Sequence, residues 1–331
     1  MYDWNTAQAP QWRGAHRAKL VDETLRDGLQ SPSVTDPPLG DKIDLLLHME
    51  HIGVDVVSVG LPAAGPRATD DSAALARYIG DHKLRLVPTA AARTVVGDVE
   101  RVVEVSQRAG LPVEVYAFVG SSPIRHYAED WDIDWVRRCI EGSLAVARRA
   151  QIPFCLVTED TTRARPDVLD RLLRPALEGG AARLCLCDTV GHATPDGAAR
   201  LIRFVRDLLT ATGRHDDTGL DWHAHNDRGL ALQTALWASE FGVDRVHGCA
   251  LGIGERVGNA PLELLALNLG LLGARRKVEP GDLVAYCERA ARALGIDLPL
   301  AHPFAPYWRA APAGAGRAGE AGRDEERARG F

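Results

Sequence analysis

Two histidines and one distant aspartate are the residues of this sequence whose types and spacing best suit metal chemistry. His223 and His225 lie two residues apart at the end of an apolar run, which we interpret as a strand. Alternate side chains of a strand point to the same face, so both imidazoles can reach one point. Such a pair also occurs as a plain polar strand end, but Asp27 directly follows another predicted strand. Two neutral imidazoles and one carboxylate predict a divalent-cation site with positions left open for a substrate.

Short apolar runs alternate with amphipathic segments along the chain and would position these side chains. The predicted strands span residues 19–25, 54–59, 84–88, 112–118, 152–157, 182–187, 219–225 and 244–250. The predicted helices span residues 39–52, 70–79, 97–109, 132–150, 166–179, 195–212, 228–241 and 260–273, and one more follows near 280–294. Gly53 and Gly242 end two of these helices, while Pro166 and Pro195 begin two others.

Eight strands, each followed by a helix, predict an α/β protein with a closed (β/α)8 TIM barrel. An open doubly wound sheet is the alternative, and it would place a glycine-rich phosphate turn after the first strand. Residues 24–28, Thr-Leu-Arg-Asp-Gly, form no such turn. Active residues of a barrel lie at the carboxyl ends of its strands, which is where Asp27, Glu159, His223 and His225 fall. The polar residues therefore collect where the predicted fold places chemistry.

Composition limits the class of protein and its partners. The apolar share of 46% and charged share of 25% are typical of a soluble globular protein. A net charge of −6 argues against a nucleic-acid or anionic-membrane binder. Residues 1–18 contain no apolar signal core, and the apolar stretch at 262–274 is too short to span a bilayer. The six cysteines lack a CxxC spacing and are expected to be reduced core residues. We therefore expect a cytoplasmic protein that binds neither nucleic acid nor a membrane.

The chain is expected to divide into four regions. Residues 1–18 form an N-terminal extension, residues 19–275 the barrel, and residues 276–309 a short helical extension. Residues 310–331 consist mainly of Ala, Gly, Arg and Glu with almost no apolar anchor. Such a composition buries too little surface to offset the entropy of ordering, so we expect a disordered tail.

Several motifs resemble the signatures of 2-isopropylmalate and homocitrate synthases. Asp-Glu-Thr-Leu-Arg-Asp-Gly-Leu-Gln-Ser-Pro at 22–32 is similar to their first signature, and residues 223–231 and 252–260 are similar to the second and third. Shorter matches at 121–124, 159–163 and 188–191 keep the same order. The resemblance spans roughly residues 19–275 and implies a metal-dependent TIM barrel with a pyruvate carboxyltransferase domain. The related 3-hydroxy-3-methylglutaryl-CoA lyases carry a cysteine in a glycine-rich loop at the place of the third motif. Residues 252–260 contain no such cysteine, which favours the synthases.

The resemblance also implies a ligand set. Asp27, His223 and His225 would bind the divalent metal, with Asn259 at or just outside the coordination shell. The family metal is commonly Mg²⁺, Mn²⁺ or Zn²⁺, and a site without thiolate leaves the choice open. As an alternative, Asn259 caps the helix that follows it.

Further residues carried over from the family would contact the reacting molecules. A 2-oxo acid can chelate a divalent metal, which polarises its ketone. Arg26 would stabilise the negative oxygen that develops, and Glu159 would handle a proton or lie near acetyl-CoA. Thr189 would hydrogen-bond the oxo-acid carboxylate, and Gln30 would lie at the pocket edge. Glu159 and Thr189 also have a structural interpretation as helix-start residues.

This sequence departs from the family at three points. Ser58 stands where family members place a glutamate that holds the catalytic arginine, so Arg26 must be held differently. Tyr116 stands where synthases tend to have a histidine, which indicates a different acyl pocket or substrate. The resemblance implies a linker subdomain that donates a catalytic histidine; we expect the stretch after the barrel to be too short for it in full, and His302 is the candidate replacement. His192 and His247 have no evident partner and are expected to be structural or solvent-facing.

The leading hypothesis is an acyltransferase that condenses an acyl-CoA, expected to be acetyl-CoA, with a 2-oxo acid to give a 2-alkylmalate. The second is carbon–carbon cleavage of the lyase type by the same metal and arginine. The third is a non-catalytic barrel that binds metal and oxo acid. By resemblance we also expect a homodimer.

Overall fold

A closed barrel of parallel strands forms the centre of the protein, in a computed structural model that describes residues 18–305. Within these residues the eight strands follow the chain order around the barrel, and β1 pairs with both β2 and β8. The strands are β1 (Lys19–Asp22), β2 (Val56–Ser58), β3 (Val87–Arg93), β4 (Glu114–Gly120), β5 (Phe154–Glu159), β6 (Arg183–Asp188), β7 (Gly219–Ala224) and β8 (Arg245–Gly248). The predicted TIM barrel is confirmed.

Helices cover the outside of the barrel and lie close to the predicted positions. Those of the described residues are α1 (Leu39–His51), α2 (Pro66–Asp81), α3 (Val96–Ala109), α4 (Pro123–Ala128), α5 (Ile133–Arg149), α6 (Pro166–Glu178), α7 (Pro195–Ala211), α8 (Ala231–Glu240), α9 (Leu262–Leu271) and α10 (Pro280–Leu294). Their apolar faces pack on the outward side chains of the strands, which forms the main core.

Several element boundaries differ from the sequence predictions by a few residues, and β3 and α4 differ most. Strand β3 begins at Val87 rather than at residue 84, and it ends at Arg93. Its centre is a run of small buried residues, Thr89 to Ala92, which carries little of the aliphatic signal used to find strands. Helix α4 was not predicted, because it has only six residues and buries none of them. Ser122 caps it and Pro123 occupies its first turn.

The interior of the barrel is filled by polar as well as apolar side chains. Arg245 on β8 donates to Glu114 on β4 at 2.7 Å, a contact that must cross the interior because these strands are not neighbours. Tyr116 donates to Asp221 at 2.6 Å, and Arg183 donates to the other oxygen of Asp221 at 2.7 Å. These buried charges are paired and hydrogen-bonded, which is the condition for tolerating them in a core.

Two further expectations concern membrane-spanning helices and the state of the cysteines. No helix among residues 18–305 is long and apolar enough to cross a membrane. All six cysteines are free, and five are buried as expected, while Cys139 is half-exposed. The predicted disordered tail and residues 1–17 of the predicted N-terminal extension lie outside the described residues.

Candidate metal centre and active site

A cavity of about 330 Å³ opens at the carboxyl ends of the barrel strands. Eight of the predicted site residues line it: Arg26, Asp27, Gln30, Tyr116, Glu159, Thr189, His223 and His225. Asn259 lies behind this lining, on the loop that follows β8, and the backbone of that loop pairs with His225. The structure therefore brings residues from strands one, four, five, six and seven to one site, as a TIM barrel requires for an active centre.

Asp27, His223 and His225 point three ligand atoms at one place. Oδ2 of Asp27 lies 3.3 Å from Nε2 of His223 and 3.4 Å from Nε2 of His225. The two Nε2 atoms are 3.2 Å apart, and all three side chains are buried. Metal–ligand bonds of about 2.1 Å place neighbouring ligands of a divalent ion at about this separation. This trio fits a divalent cation, and it contains no thiolate that would select a soft metal.

Asn259 adds a fourth group beside this trio. Its Nδ2 donates to the carbonyl of Ile253 at 3.1 Å, while its buried Oδ1 has no partner among residues 18–305. A buried amide oxygen without a donor is an exception that requires an explanation, and a metal ion or a metal-bound water supplies one. The alternative that Asn259 caps α9 is wrong, because that helix begins at Leu262 with Pro261 as its N-cap residue.

Gly254 shows how closely the β8 loop approaches the ligands. A Cβ atom at this position would lie 2.0 Å from Nδ2 of Asn259 and 3.0 Å from Oδ1 of Asp27. No side chain fits there, so glycine is required for the loop to cover the site. Asp27 Oδ1 in turn accepts from the backbone N–H of Glu255 at 3.1 Å, which fixes the carboxylate.

The charge states of His223 and Asp27 suit metal binding. Burial lowers the pKa of His223 to about 4, so its imidazole is neutral at pH 7. Burial would raise the pKa of Asp27, but the Arg26 guanidinium and the hydrogen bonds from the two histidines hold it well below its usual range. Neutral imidazoles and an ionised carboxylate are the forms in which these residues coordinate a cation.

Arg26 is held by Glu23, a residue that sequence reasoning did not select. Nε of Arg26 donates to Oε2 of Glu23 at 2.6 Å, and its Nη2 contacts the same oxygen. Ser58 also lines the cavity, but it forms no hydrogen bond with Arg26 within the described part of the chain. Burial would raise the pKa of Glu23, but the charge of Arg26 and the contact with His247 lower it to about 2. Glu23 therefore supplies the countercharge that Ser58 cannot.

His247 was expected to be structural or solvent-facing, and the expectation of solvent exposure is wrong. It is buried, lines the cavity and lies between two carboxylates. Its Nδ1 is 3.0 Å from Oε1 of Glu23, an ion-pair distance without hydrogen-bond alignment, and its Nε2 is 3.3 Å from Oδ2 of Asp221. Burial alone would lower the pKa of His247, but these two carboxylates raise it. A spacing of two from Arg245 on the same strand could have indicated its position, because alternate side chains of a strand face the same side and both face the barrel interior.

Glu159 and Thr189 line the cavity at the carboxyl ends of two neighbouring strands, β5 and β6. Glu159 is the last residue of β5 and is half-buried, which raises the pKa of its carboxyl despite Arg125 at 4.0 Å. Thr189 accepts from the backbone N–H of Asp160 at 2.8 Å, which leaves its hydroxyl proton free to be donated. Neither residue caps a helix, because β5 continues through Glu159 and the N-cap of α7 is Thr194. The structural interpretation of the Glu159 region does fit its neighbour Asp160, which begins the next turn and pairs with Arg163.

Tyr116, Gln30 and His302 have different relations to the cavity. The Tyr116 hydroxyl is turned away from it, because it donates to Asp221 and accepts from Arg245 at 2.7 Å. Its ring packs with Cys155, Cys185 and Cys187, and this group forms the soft, largely apolar floor. Gln30 is exposed at the rim. His302 does not line the cavity; its Nε2 lies 3.1 Å from Oε1 of Glu263.

Known proteins resemble this chain over most of its described length. The HMGL-like family matches residues 17–288. The 2-isopropylmalate synthase of Caulobacter vibrioides (strain NA1000 / CB15N) is 33% identical over 255 residues, which are 77% of this chain and 47% of that protein. The 2-isopropylmalate synthase of Sediminispirochaeta smaragdinae is 33% identical over 278 residues, 82% of this chain and 52% of that protein. The chain thus spans about half the length of the curated relatives it matches.

Solved structures share the fold at lower identity. A structure of an HMG-CoA lyase from Acenitobacter baumannii, in complex with coenzyme A and 3-methylmalate, superposes with a TM-score of 0.70 at 20% identity. The match covers 94% of this chain and 99% of that one. At this identity the structural similarity is evidence for the barrel fold alone. Because the family match covers well over half of the sequence, the chain belongs to the HMGL-like family.

Proposed function

We propose that this protein condenses acetyl-CoA with a 2-oxo acid at a divalent metal centre and releases a 2-alkylmalate and free coenzyme A. The observation that carries the proposal is the convergence of the Asp27, His223 and His225 trio with Arg26 and Glu159 in one cavity. Similarity to 2-isopropylmalate synthases over 77% of the chain supports this reaction over others on the same fold.

Asp27, His223 and His225 would hold the metal, and the free Oδ1 of Asn259 would act as a further ligand or orient a bound water. When bound, the ion supplies a Lewis acid that binds a 2-oxo acid and polarises its ketone. The loop that contains Gly254 covers this side of the site and limits the access of water.

Arg26 and Glu159 would carry the chemical step. Glu159 takes a proton from the acetyl methyl group, and the resulting carbon nucleophile attacks the ketone carbon of the oxo acid. One carbon–carbon bond forms, and the ketone oxygen becomes an alkoxide that Arg26 stabilises by charge before a proton is returned to it. Water then hydrolyses the thioester, which gives a new carboxylate and the thiol of coenzyme A.

The cavity floor favours an oxo acid with a short, uncharged side chain. Tyr116, Val157, Cys185 and Cys187 form this floor, and the Tyr116 hydroxyl is engaged below it. None of these four floor residues is cationic, whereas Arg26, Arg125 and Arg256 line other parts of the cavity. A second carboxylate that reached the floor would be buried unpaired, which is costly. We therefore propose that 2-oxo monoacids are preferred over 2-oxoglutarate.

Thiol release from acetyl-CoA tests the proposal. The metal-loaded protein would be given acetyl-CoA with each of several 2-oxo acids, and free thiol would be followed with a thiol reagent. We expect release that requires one monoacid and that Arg26→Lys strongly reduces, because lysine cannot reproduce the planar guanidinium. Absence of thiol release across the panel, with metal bound, would contradict the proposal.

Carbon–carbon cleavage of the lyase type is the alternative reaction that must be distinguished from condensation. Lyases of the resembling branch carry a cysteine in a glycine-rich loop, whereas Cys249 in this chain is fully buried and does not line the cavity. Condensation therefore has the better support. A hydroxy-acid thioester that is split without added oxo acid would reverse this assignment.

A further inference from the structure

We infer that Glu23, at the end of strand β1, is the residue that positions Arg26, and that it replaces a carboxylate on strand β2 where this chain has Ser58. The inference rests on the proposed function for the role of Arg26. It adds a residue that positions Arg26, and it implies that the positioning carboxylate can be carried by either of two neighbouring strands.

The strand register places Glu23 beside position 58. Val21 pairs with Val56 and Asp22 pairs with Val57, so the next pair along the same ladder is Glu23 with Ser58. Neighbouring residues in a parallel ladder point to the same face. Both side chains are buried and line the cavity. A carboxylate at either position can therefore reach the same guanidinium.

The local backbone holds Glu23 and Arg26 in contact. The Glu23 carbonyl accepts from the N–H of Arg26 and from the N–H of Gly28, both at 3.0 Å. This tight turn returns Arg26 over the Glu23 side chain, where two guanidinium nitrogens meet one carboxylate oxygen. Charge-assisted bonds of this kind are about twice as strong as neutral ones and fix the orientation of an arginine.

Buried neighbours fix the Glu23 carboxylate from behind. Its other oxygen, Oε1, faces His247, and His247 faces Asp221 on β7. Asp221 is held in turn by Arg183 and Tyr116. The carboxylate therefore cannot turn away from Arg26 without breaking contacts that reach across the barrel interior. Ser58 has no comparable support and no charge.

Loss of Glu23 would also disturb the metal trio. Nη1 of Arg26 lies 3.4 Å from Oδ2 of Asp27, the oxygen that faces both histidines. Without Glu23, Asp27 becomes the nearest carboxylate for the guanidinium. Arg26 would then turn toward a metal ligand and away from the substrate.

Four holoenzymes test the inference: the wild type, Glu23→Thr, Ser58→Glu and the double variant Glu23→Thr/Ser58→Glu. We expect Glu23→Thr to lower kcat by about 100-fold with little change in KM for acetyl-CoA, because a misplacement of about 1 Å at a reacting group has that effect. The double variant should recover at least about tenfold of this loss. Glu100→Thr, on the exposed face of α3, is the matched control and should keep the wild-type kcat.

A second measurement does not depend on turnover. The Arg26 Nε–H signal in ¹⁵N-arginine-labelled protein, assigned through its loss in Arg26→Lys, should exchange slowly in the wild type. It should exchange faster in Glu23→Thr and slowly again in the double variant. If the wild type turns over no substrate, the proposed function fails, but this signal still reports on Glu23.

The outcomes that overturn the inference are distinct. A Glu23→Thr enzyme with near-wild-type kcat and a protected Nε–H would show that Glu23 does not position Arg26. A double variant that recovers neither kcat nor protection would refute the exchange with position 58. Should Glu23→Thr fail to fold, Glu23→Gln keeps the size and one acceptor while it removes the charge, and its kcat and Nε–H exchange are then decisive.

Discussion

The Nε2 atoms of His223 and His225, both buried inside the barrel, face each other at 3.2 Å. One shared proton can bridge two such nitrogens, but the Asp27 oxygen that faces both of them, at 3.3 and 3.4 Å, then has only Arg26 as a cationic partner. A divalent cation among the three groups satisfies both imidazoles and the carboxylate together. This relationship leads to the first prediction.

Replacement of His223 by alanine should abolish tight metal binding. Loss of one ligand from this trio should weaken affinity by more than the 10- to 100-fold typical of a ligand's supporting partners, so about 100-fold is a lower bound. Isothermal titration of the metal-free protein with Mn²⁺ or Zn²⁺ would measure this. His192→Ala is the matched control, since His192 is exposed and lies outside the cavity. Equal affinity in both variants would contradict the assignment of the trio.

Stability should depend on pH through Asp22, which lies below the site. Asp22 is fully buried, accepts from Thr24 N–H and from the Tyr286 hydroxyl, and has its pKa raised to about 6 by burial. The folded protein therefore holds this proton more tightly than the unfolded chain. The resulting stabilisation is complete below the usual pKa of 3.8 and is lost as the pH rises through about 6.

Asp22→Asn should remove this dependence. Asparagine can still accept from Thr24 N–H and carries no charge to desolvate. Relative to the wild type, the variant should gain on the order of 3 kcal/mol in free energy of unfolding as the pH rises through this window, at 1.36 kcal/mol per pKa unit. Urea unfolding of both metal-free proteins across this pH range is the measurement. A difference between them that stays constant with pH would refute the assignment to Asp22.

His302 should support structure rather than catalysis. It contacts Glu263, and the other oxygen of that buried carboxylate accepts from the N–H of Leu251 at the start of the β8 loop. Removing a general base lowers kcat by about 10²–10⁴-fold. We expect His302→Gln, which can still donate to Glu263, to keep kcat near the wild-type value. A loss within the general-base range, with an unchanged unfolding midpoint, would return His302 to the role of replacement base.

The convergence of Asp27, His223 and His225 could be predicted from the sequence, whereas the support of Arg26 could not. His223 and His225 can be identified by their spacing of two on a predicted strand, and Asp27 can be identified by its position after another predicted strand. Glu23 lies in the same motif as Arg26, but whether its side chain reaches the guanidinium depends on the tight turn at 23–28. His247 gains its role from carboxylates on β1 and β7, which are contacts between distant segments that no local pattern records.

The boundaries of the helices and strands were likewise predictable where a local pattern sets them and not where distant contacts do. Helix α1 was predicted within one residue because its apolar spacing is regular. Strand β3 was displaced because its buried centre consists of small residues, whose burial depends on the neighbouring strands. Tyr116 was expected to indicate a different acyl pocket or substrate, and it does line the cavity, but the direction of its hydroxyl follows from Asp221, more than 100 residues away in the sequence.

Isotope transfer from the acetyl group tests the central claim most directly. The metal-loaded protein would be incubated with acetyl-CoA labelled with ¹³C in both acetyl carbons and with the 2-oxo acid that releases thiol. Mass spectrometry of the product should find both labelled carbons joined to the oxo-acid skeleton in a single hydroxydiacid, and His223→Ala should yield none. Labelled acetate, with the oxo acid recovered unchanged, would mean that no carbon–carbon bond forms and would contradict condensation at this site.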